Sequence, residues 1–182
     1  MELFSLAGKT ALVTGASSGF GHHFAGVLAS HGARVVLGAR RLDKIQARVD
    51  ELTAAGHEVL GLPLDVRDPE SAQNFLAEAV KAFGGIDVLI NNAGVEAGAK
   101  TYTMIDDEDW DYVFDTNLKA AWRLSKFYTQ WVADHGTTGS IVNIASITAF
   151  RTIKGQFPYA VSKAALVKAT EIMALEGARY GV

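Results

Sequence analysis

The chain has 182 residues, of which 49% are hydrophobic and 20% charged, a composition typical of a folded globular domain rather than a disordered segment. The formal net charge of −3 excludes the strongly basic surface that nucleic-acid binding needs, and the absence of cysteine excludes disulfides and thiolate metal ligands. There is no secretory signal and no apolar run of the roughly 20 residues that span a membrane, so we expect a cytoplasmic protein without membrane or nucleic-acid partners.

Five short apolar runs predict buried β-strands, at residues 10–14, 35–37, 59–62, 86–90 and 141–145. They are rich in β-branched residues, which is typical of strands covered on both faces. Amphipathic stretches predict five helices, at about residues 21–31, 42–55, 68–84, 107–135 and 158–180. This alternation predicts an α/β fold with a doubly wound parallel sheet, which binds ligands beyond the carboxyl ends of its strands.

A glycine-rich turn joins the first strand to the first helix. Its glycines permit a tight turn and a close approach of the backbone to a ligand. The following helix N-terminus offers free N–H groups and the positive end of its dipole to a pyrophosphate. The alternative is a turn that only packs the helix on the sheet. The candidate cofactor contacts in this segment are Gly15, Ser17, Ser18, Gly19, Phe20 and Gly21.

The spacing Thr-Gly-x-x-x-Gly-x-Gly in this turn resembles that of short-chain dehydrogenase/reductases. Two further segments match the family, Leu64-Asp65-Val66 after the third strand and Asn91-Asn92-Ala93-Gly94 after the fourth. The resemblance implies a single NAD(P)-binding Rossmann domain over residues 1–182, with Asp65 and Val66 at the adenine base. It also implies that three residues border the adenosine ribose: Asn92, Ala93 and Gly94.

The end of the second strand carries the choice between NAD and NADP. An acidic residue there would bind the ribose hydroxyls of NAD, but Ala39 takes that place and Arg40 follows it. A guanidinium group suits the 2′-phosphate of NADP because its donors pair with two oxygens. We therefore predict NADP rather than NAD, with Arg40 as the phosphate ligand. Arg41 either assists or is solvated.

Tyr159 and Lys163 lie four residues apart on the last predicted helix, which places them on one face. An ammonium group one turn away favours a phenolate, so the tyrosine becomes usable as a general acid or base. The spacing alone is also common by chance on exposed helices. The resemblance adds Ser146 and Asn117, and implies a catalytic set of Asn117, Ser146, Tyr159 and Lys163, with Tyr159 and Lys163 also touching the cofactor. No spacing of histidines and carboxylates predicts a metal site.

These features predict an oxidoreductase that transfers hydride between NADP(H) and a ketone or secondary alcohol. The alternative is a nucleotide-binding regulatory or scaffold protein without turnover. The resemblance implies a homodimer or homotetramer formed through the fourth and fifth helices. Relatives continue with further strands and a substrate loop, so we expect a domain that is incomplete at its C-terminus, with C-terminal strands missing and an exposed edge at the fifth strand.

Overall fold

A computed structural model describes residues 3–182. The strands are β1 (Thr10–Thr14), β2 (Arg34–Ala39), β3 (Val59–Pro63), β4 (Val88–Asn91) and β5 (Ser140–Asn143). The helices are α1 (Gly19–Ser30), α2 (Leu42–Ala54), α3 (Pro69–Phe83), α4 (Asp107–Phe114), α5 (Ala120–His135) and α6 (Phe157–Gly177). All strand pairs are parallel, in the order β3-β2-β1-β4-β5.

Helices cover both faces of the sheet. Successive side chains of a strand point to opposite faces, so each strand contributes apolar residues to two cores. Leu12 of β1 and Leu89 of β4 pack in one core with α3 and α5. Their neighbours Val13 and Ile90 pack in a second core with α1 and α2. The predicted doubly wound α/β fold is therefore confirmed. The strand order reverses between β1 and β4, which opens a crevice at their carboxyl ends.

The bounds of β2, β3, β4 and β5 differ from the predicted runs by one or two residues, and side-chain hydrogen bonds lie beside two of these ends. The fourth strand begins at Val88 rather than residue 86, and just before it the Asp87 carboxylate accepts a hydrogen bond from the backbone N–H of Thr10 at 2.8 Å. The fifth strand ends at Asn143 rather than residue 145. Beyond it, the carbonyl of Ile144 accepts a hydrogen bond from Lys163 Nζ at 2.6 Å.

The predicted fourth helix, residues 107–135, is one helical stretch with a widened turn in its middle. α4 continues through a π-helical turn, Asp115–Lys119, into α5. Such turns occur mostly as single insertions within α-helices, frequently at functional sites. This one carries Asn117, a predicted catalytic residue.

The last helix, α6, packs against α4 and the widened turn, and carries both Tyr159 and Lys163. Neither α6 nor any other helix within residues 3–182 is long and apolar enough to cross a membrane. At the end of the sheet, β5 pairs with β4, and Val142 in β5 is 44% exposed. A groove of about 530 Å³ lies beside this strand, between α5 and α6.

Tyr128 of α5 fastens the amino end of the sheet. Its ring is fully buried, and its hydroxyl donates to the carbonyl of Asp87 at 2.7 Å and accepts from the N–H of Ser140 at 3.2 Å. Burial is the main reason that the pKa of Tyr128 rises to about 12. A Cβ atom on Gly139 would lie 1.9 Å from this hydroxyl, so only glycine fits there.

Gly139→Ala is therefore expected to destabilise the fold by about 1–3 kcal/mol, the usual cost of overpacking a buried site. Gly85→Ala is the matched control, because its added Cβ would meet Trp131 at an ordinary 3.4 Å. Urea denaturation of both variants measures the difference in the free energy of unfolding. Equal stability of the two variants would contradict the inference that the Tyr128 hydroxyl is held in a fixed position beside Gly139.

Candidate active site

Glycines in the turn after β1 allow a second segment to pack directly against it. Gly15 has φ +67°, and a Cβ atom built on it would lie 2.8 Å from Cα of Ala93. A Cβ on Gly21 would lie 2.5 Å from Nδ2 of Asn92. Both distances are shorter than real contacts, so larger residues would push the Asn-Asn-Ala-Gly segment away from the turn.

Thr14, which the sequence analysis did not single out as a site residue, joins these two segments. Its hydroxyl oxygen accepts hydrogen bonds from the backbone N–H groups of Asn92 and Ala93, both at 3.0 Å. The Asn92 side chain returns a bond of 2.8 Å to the Thr14 carbonyl. The threonine that opens the family's glycine pattern was the available signal for this role.

A cleft of about 600 Å³ lies at the carboxyl ends of β1, β2, β3 and β4. Ten of the predicted cofactor residues line it: Gly15, Ser17, Ser18, Phe20, Arg40, Asp65, Val66, Asn92, Ala93 and Gly94. Seven further residues complete its walls: Ala39, Arg41, Leu64, Arg67, Val95, Tyr112 and Thr116. The remaining predicted cofactor residues are not among its lining residues: Gly19, Gly21, Tyr159 and Lys163.

The N-terminus of α1 fits a phosphate group. Ser18, just before the helix, is extended, with φ −168°, and within the described chain its side chain does not cap the helix. A Cβ on Gly19 would meet nothing within 4 Å, so the space beside this first turn is open. Uncapped N–H groups and the helix dipole attract an anion. These residues therefore fit the diphosphate of a dinucleotide.

Arg41, rather than Arg40, contacts the glycine turn. One guanidinium nitrogen of Arg41 donates to the hydroxyl oxygens of Ser17 and Ser18, at 2.8 and 2.9 Å. Arg40 is exposed and lines the same cleft. Two cations thus stand at the end of β2, beside Ala39 in place of a carboxylate.

Lys163 is the most deeply placed charged side chain near the cleft. It is only 4% exposed, and its burial lowers its pKa to about 8. The ammonium nitrogen lies 5.9 Å from the centre of the Tyr159 ring. A Cβ built on Gly94, which lines the cleft, would lie 3.6 Å from the same nitrogen. The Lys163 ammonium therefore lies close both to the cleft wall at Gly94 and to Tyr159.

Asn117 is buried in the widened turn and acts as a clamp in this structure. Its side-chain oxygen accepts from the N–H of Val95, and its nitrogen donates to the Val95 carbonyl, both at 2.8 Å. The same nitrogen donates to the hydroxyl of Ser162 at 3.1 Å. The amide thereby fixes the chain after Gly94 against α6.

Ser146 begins a short 3₁₀ turn after β5, and its oxygen accepts two hydrogen bonds. They come from the N–H of Thr148 at 3.2 Å and from the Thr148 hydroxyl at 2.9 Å. A hydroxyl group can donate one hydrogen bond in addition to those it accepts. The proton of Ser146 thus remains available to donate to a substrate oxygen.

A parallel sheet with a glycine turn at its switch point is the architecture of dinucleotide-binding α/β proteins. A family model described as short chain dehydrogenase matches residues 9–182. The oxidoreductase UcpA of Salmonella typhimurium is 39% identical over 178 residues, which is 97% of this chain and 66% of that relative. The chain therefore belongs to the short-chain dehydrogenase/reductase family, and it spans about two thirds of the length of that relative.

Solved structures of the same family include complexes with both nicotinamide cofactors. A short chain dehydrogenase/reductase from Burkholderia phymatum in complex with NAD is 34% identical, with a TM-score of 0.89 over 94% of this chain and 60% of that one. The actinorhodin polyketide ketoreductase F189W with NADPH is 37% identical, with a TM-score of 0.89 over 95% of this chain and 66% of that one. The family uses either cofactor, so the choice between them depends on this chain's own residues.

Proposed function

We propose that the protein is an oxidoreductase that transfers hydride between NADP(H) and a small-molecule ketone or secondary alcohol. The observation that carries this proposal is the position of the Lys163 ammonium, close both to the cleft wall at Gly94 and to the ring of Tyr159. When bound, the nicotinamide ring supplies or accepts the hydride. Side chains of the protein must then transfer the proton that accompanies the hydride.

Tyr159 gives that proton to the substrate oxygen in reduction and removes it in oxidation. Lys163 favours this exchange, because with a pKa of about 8 it is still mainly an ammonium at neutral pH and stabilises a neighbouring phenolate. Ser146 donates its free hydroxyl proton to the same oxygen and orients it. Asn117 positions these groups by holding the segment after Gly94 against α6.

The cofactor is NADP, because Arg40 and Arg41 flank the place where its 2′-phosphate would lie. Arg41 already donates hydrogen bonds to the hydroxyl groups of Ser17 and Ser18 in the glycine turn. The phosphate would gain a charge-assisted hydrogen bond from a guanidinium group that is fixed before binding. NAD would instead leave the two cations without an anionic partner.

Arg41→Ala is expected to lower the preference for NADPH over NADH by about 10- to 100-fold, the worth of one charge-assisted hydrogen bond. The measurement is kcat/KM for both cofactors across a panel of ketones, with Arg40→Ala beside it. Lys44→Ala is the control, since Lys44 is an exposed cation of α2 and should leave the ratio within about twofold.

The same assay tests the proposed function itself. Nucleotide binding with no turnover of any ketone or alcohol would instead favour a regulatory or scaffold protein. A wild-type preference for NADH, unchanged by Arg41→Ala, would refute the choice of NADP while leaving the oxidoreductase intact.

We also propose that the protein forms a homodimer or homotetramer through α4, α5 and α6. Trp122 on α5 and both Ile172 and Leu175 on α6 are exposed. Burial of such apolar side chains against a second copy would remove them from water.

A further inference from the structure

Arg67 and Tyr112 form a stacked pair in the wall of the cleft, at its end next to β3. The carbon at the centre of the guanidinium group lies 5.1 Å from the centre of the tyrosine ring. Both residues line the cleft, and neither belongs to the set that the sequence patterns indicated. They come from different elements, because Arg67 follows β3 and Tyr112 belongs to α4.

The backbone of Arg67 is held from two sides. Its N–H donates to the Asp65 carboxylate at 3.0 Å, and its carbonyl accepts from Nη1 of Arg123 at 2.8 Å. The Arg67 side chain is nevertheless 39% exposed. A flat cation is thus presented from a fixed backbone, with a tyrosine ring behind it.

The negative charge beside Arg67 and Tyr112 limits which chemical groups this pair can bind. Arg67 and Tyr112 also border a second recess, whose other lining residues are all acidic: Asp106, Glu108, Asp109, Asp111 and Asp115. The Arg67 guanidinium group already pairs with the Asp65 carboxylate at 3.7 Å, and the carboxylates of the recess repel a phosphate placed beside it. An uncharged aromatic ring suits the pair better, because guanidinium and tyrosine groups both attract the faces of such rings.

We propose that Arg67 and Tyr112 form the wall against which the purine base of the dinucleotide rests. This inference rests on the proposed function, which puts the reactive end of the cofactor near Lys163, and on the fit of the diphosphate to the N-terminus of α1. The end of the cleft that remains is the one beside β3, where Asp65 and the pair lie. Arg67 and Tyr112 then select for a purine and position the rest of the cofactor.

Titration calorimetry with the purine nucleotides 2′,5′-ADP and 5′-AMP tests the pair directly. Tyr112→Leu keeps apolar bulk but removes the ring, and we expect it to weaken the tighter of the two nucleotides roughly tenfold, as loss of base stacking does. Arg67→Ala should have a similar effect. Tyr112→Phe keeps the ring and is the matched control, expected to bind within about twofold of wild type.

Nicotinamide mononucleotide, which lacks the purine, separates this role from a general distortion of the cleft. Its binding should be the same in wild type and in all three variants. Equal weakening of both kinds of probe, or wild-type binding of the purine nucleotides by Tyr112→Leu and Arg67→Ala, would overturn the inference, as would a wild type that binds neither nucleotide. A wild type that binds them without turnover, and loses them in the variants, refutes the oxidoreductase and keeps the purine wall.

Discussion

Tyr159→Phe is expected to lower kcat for ketone reduction by about 10²- to 10⁴-fold, the usual contribution of a positioned general acid or base. Phenylalanine keeps the ring at the start of α6 and removes only the hydroxyl group that exchanges the proton. The affinity for NADPH should change little, because the residues that line the nucleotide cleft are untouched. Single-turnover oxidation of NADPH, followed by absorbance, measures the chemical step.

The control is Tyr180→Phe, since Tyr180 lies beyond the C-terminal end of α6, away from the cleft. It should retain wild-type kcat. Full turnover by Tyr159→Phe would mean that another group supplies the proton, and the roles proposed for Lys163 and Ser146 would then lose their basis.

The elements of the fold could be predicted because each is recorded locally in the sequence. A buried parallel strand needs a run of apolar residues, and runs such as residues 35–37 lie within the observed strands. The glycine turn could also be predicted, because its backbone conformation and close packing require glycine at Gly15 and Gly21. The helix that carries Tyr159 and Lys163 follows from the same kind of local pattern.

Contacts between distant segments could not be predicted in this way. Arg40 and Arg41 are neighbours in the sequence, and only the backbone direction at the end of β2 decides which of them reaches Ser17 and Ser18. Arg67 and Tyr112 are 45 positions apart, and no periodicity connects them. The widened turn at Asp115–Lys119 likewise leaves the apolar pattern of the helix unchanged, so periodicity alone predicts an ordinary helix.

The burial of Lys163 is a further property of the tertiary structure. The variant Lys163→Met tests what the buried charge contributes to turnover and what it costs in stability. Methionine fills similar space without a charge, so we expect ketone turnover to fall by about 10²-fold or more as the phenolate loses its cation. In the folded protein the pKa of Lys163 is about 8, below the ordinary 10.5, because burial disfavours the ammonium. Burial of the charged side chain therefore costs stability.

The sign of the pH dependence follows from proton counting. Below pH 8 both the folded and the unfolded wild type carry the proton, and the full cost of the buried charge is present. Between about pH 8 and 10.5 the folded protein releases it while the unfolded chain keeps it, so the free energy of unfolding rises with pH. Relative to Lys163→Met, we expect wild type to gain on the order of 3 kcal/mol across this range, from about 1.4 kcal/mol per pKa unit.

Denaturant unfolding of both proteins at several pH values measures this difference, and Lys168→Met is the matched control. Lys168 lies on the same helix, is exposed and pairs with Glu171, so its replacement should give no comparable slope. If the stability difference between wild type and Lys163→Met were flat from pH 7 to 10.5, the Lys163 ammonium would not be desolvated. That result would contradict the buried charge at Lys163, whatever the activity of the variant.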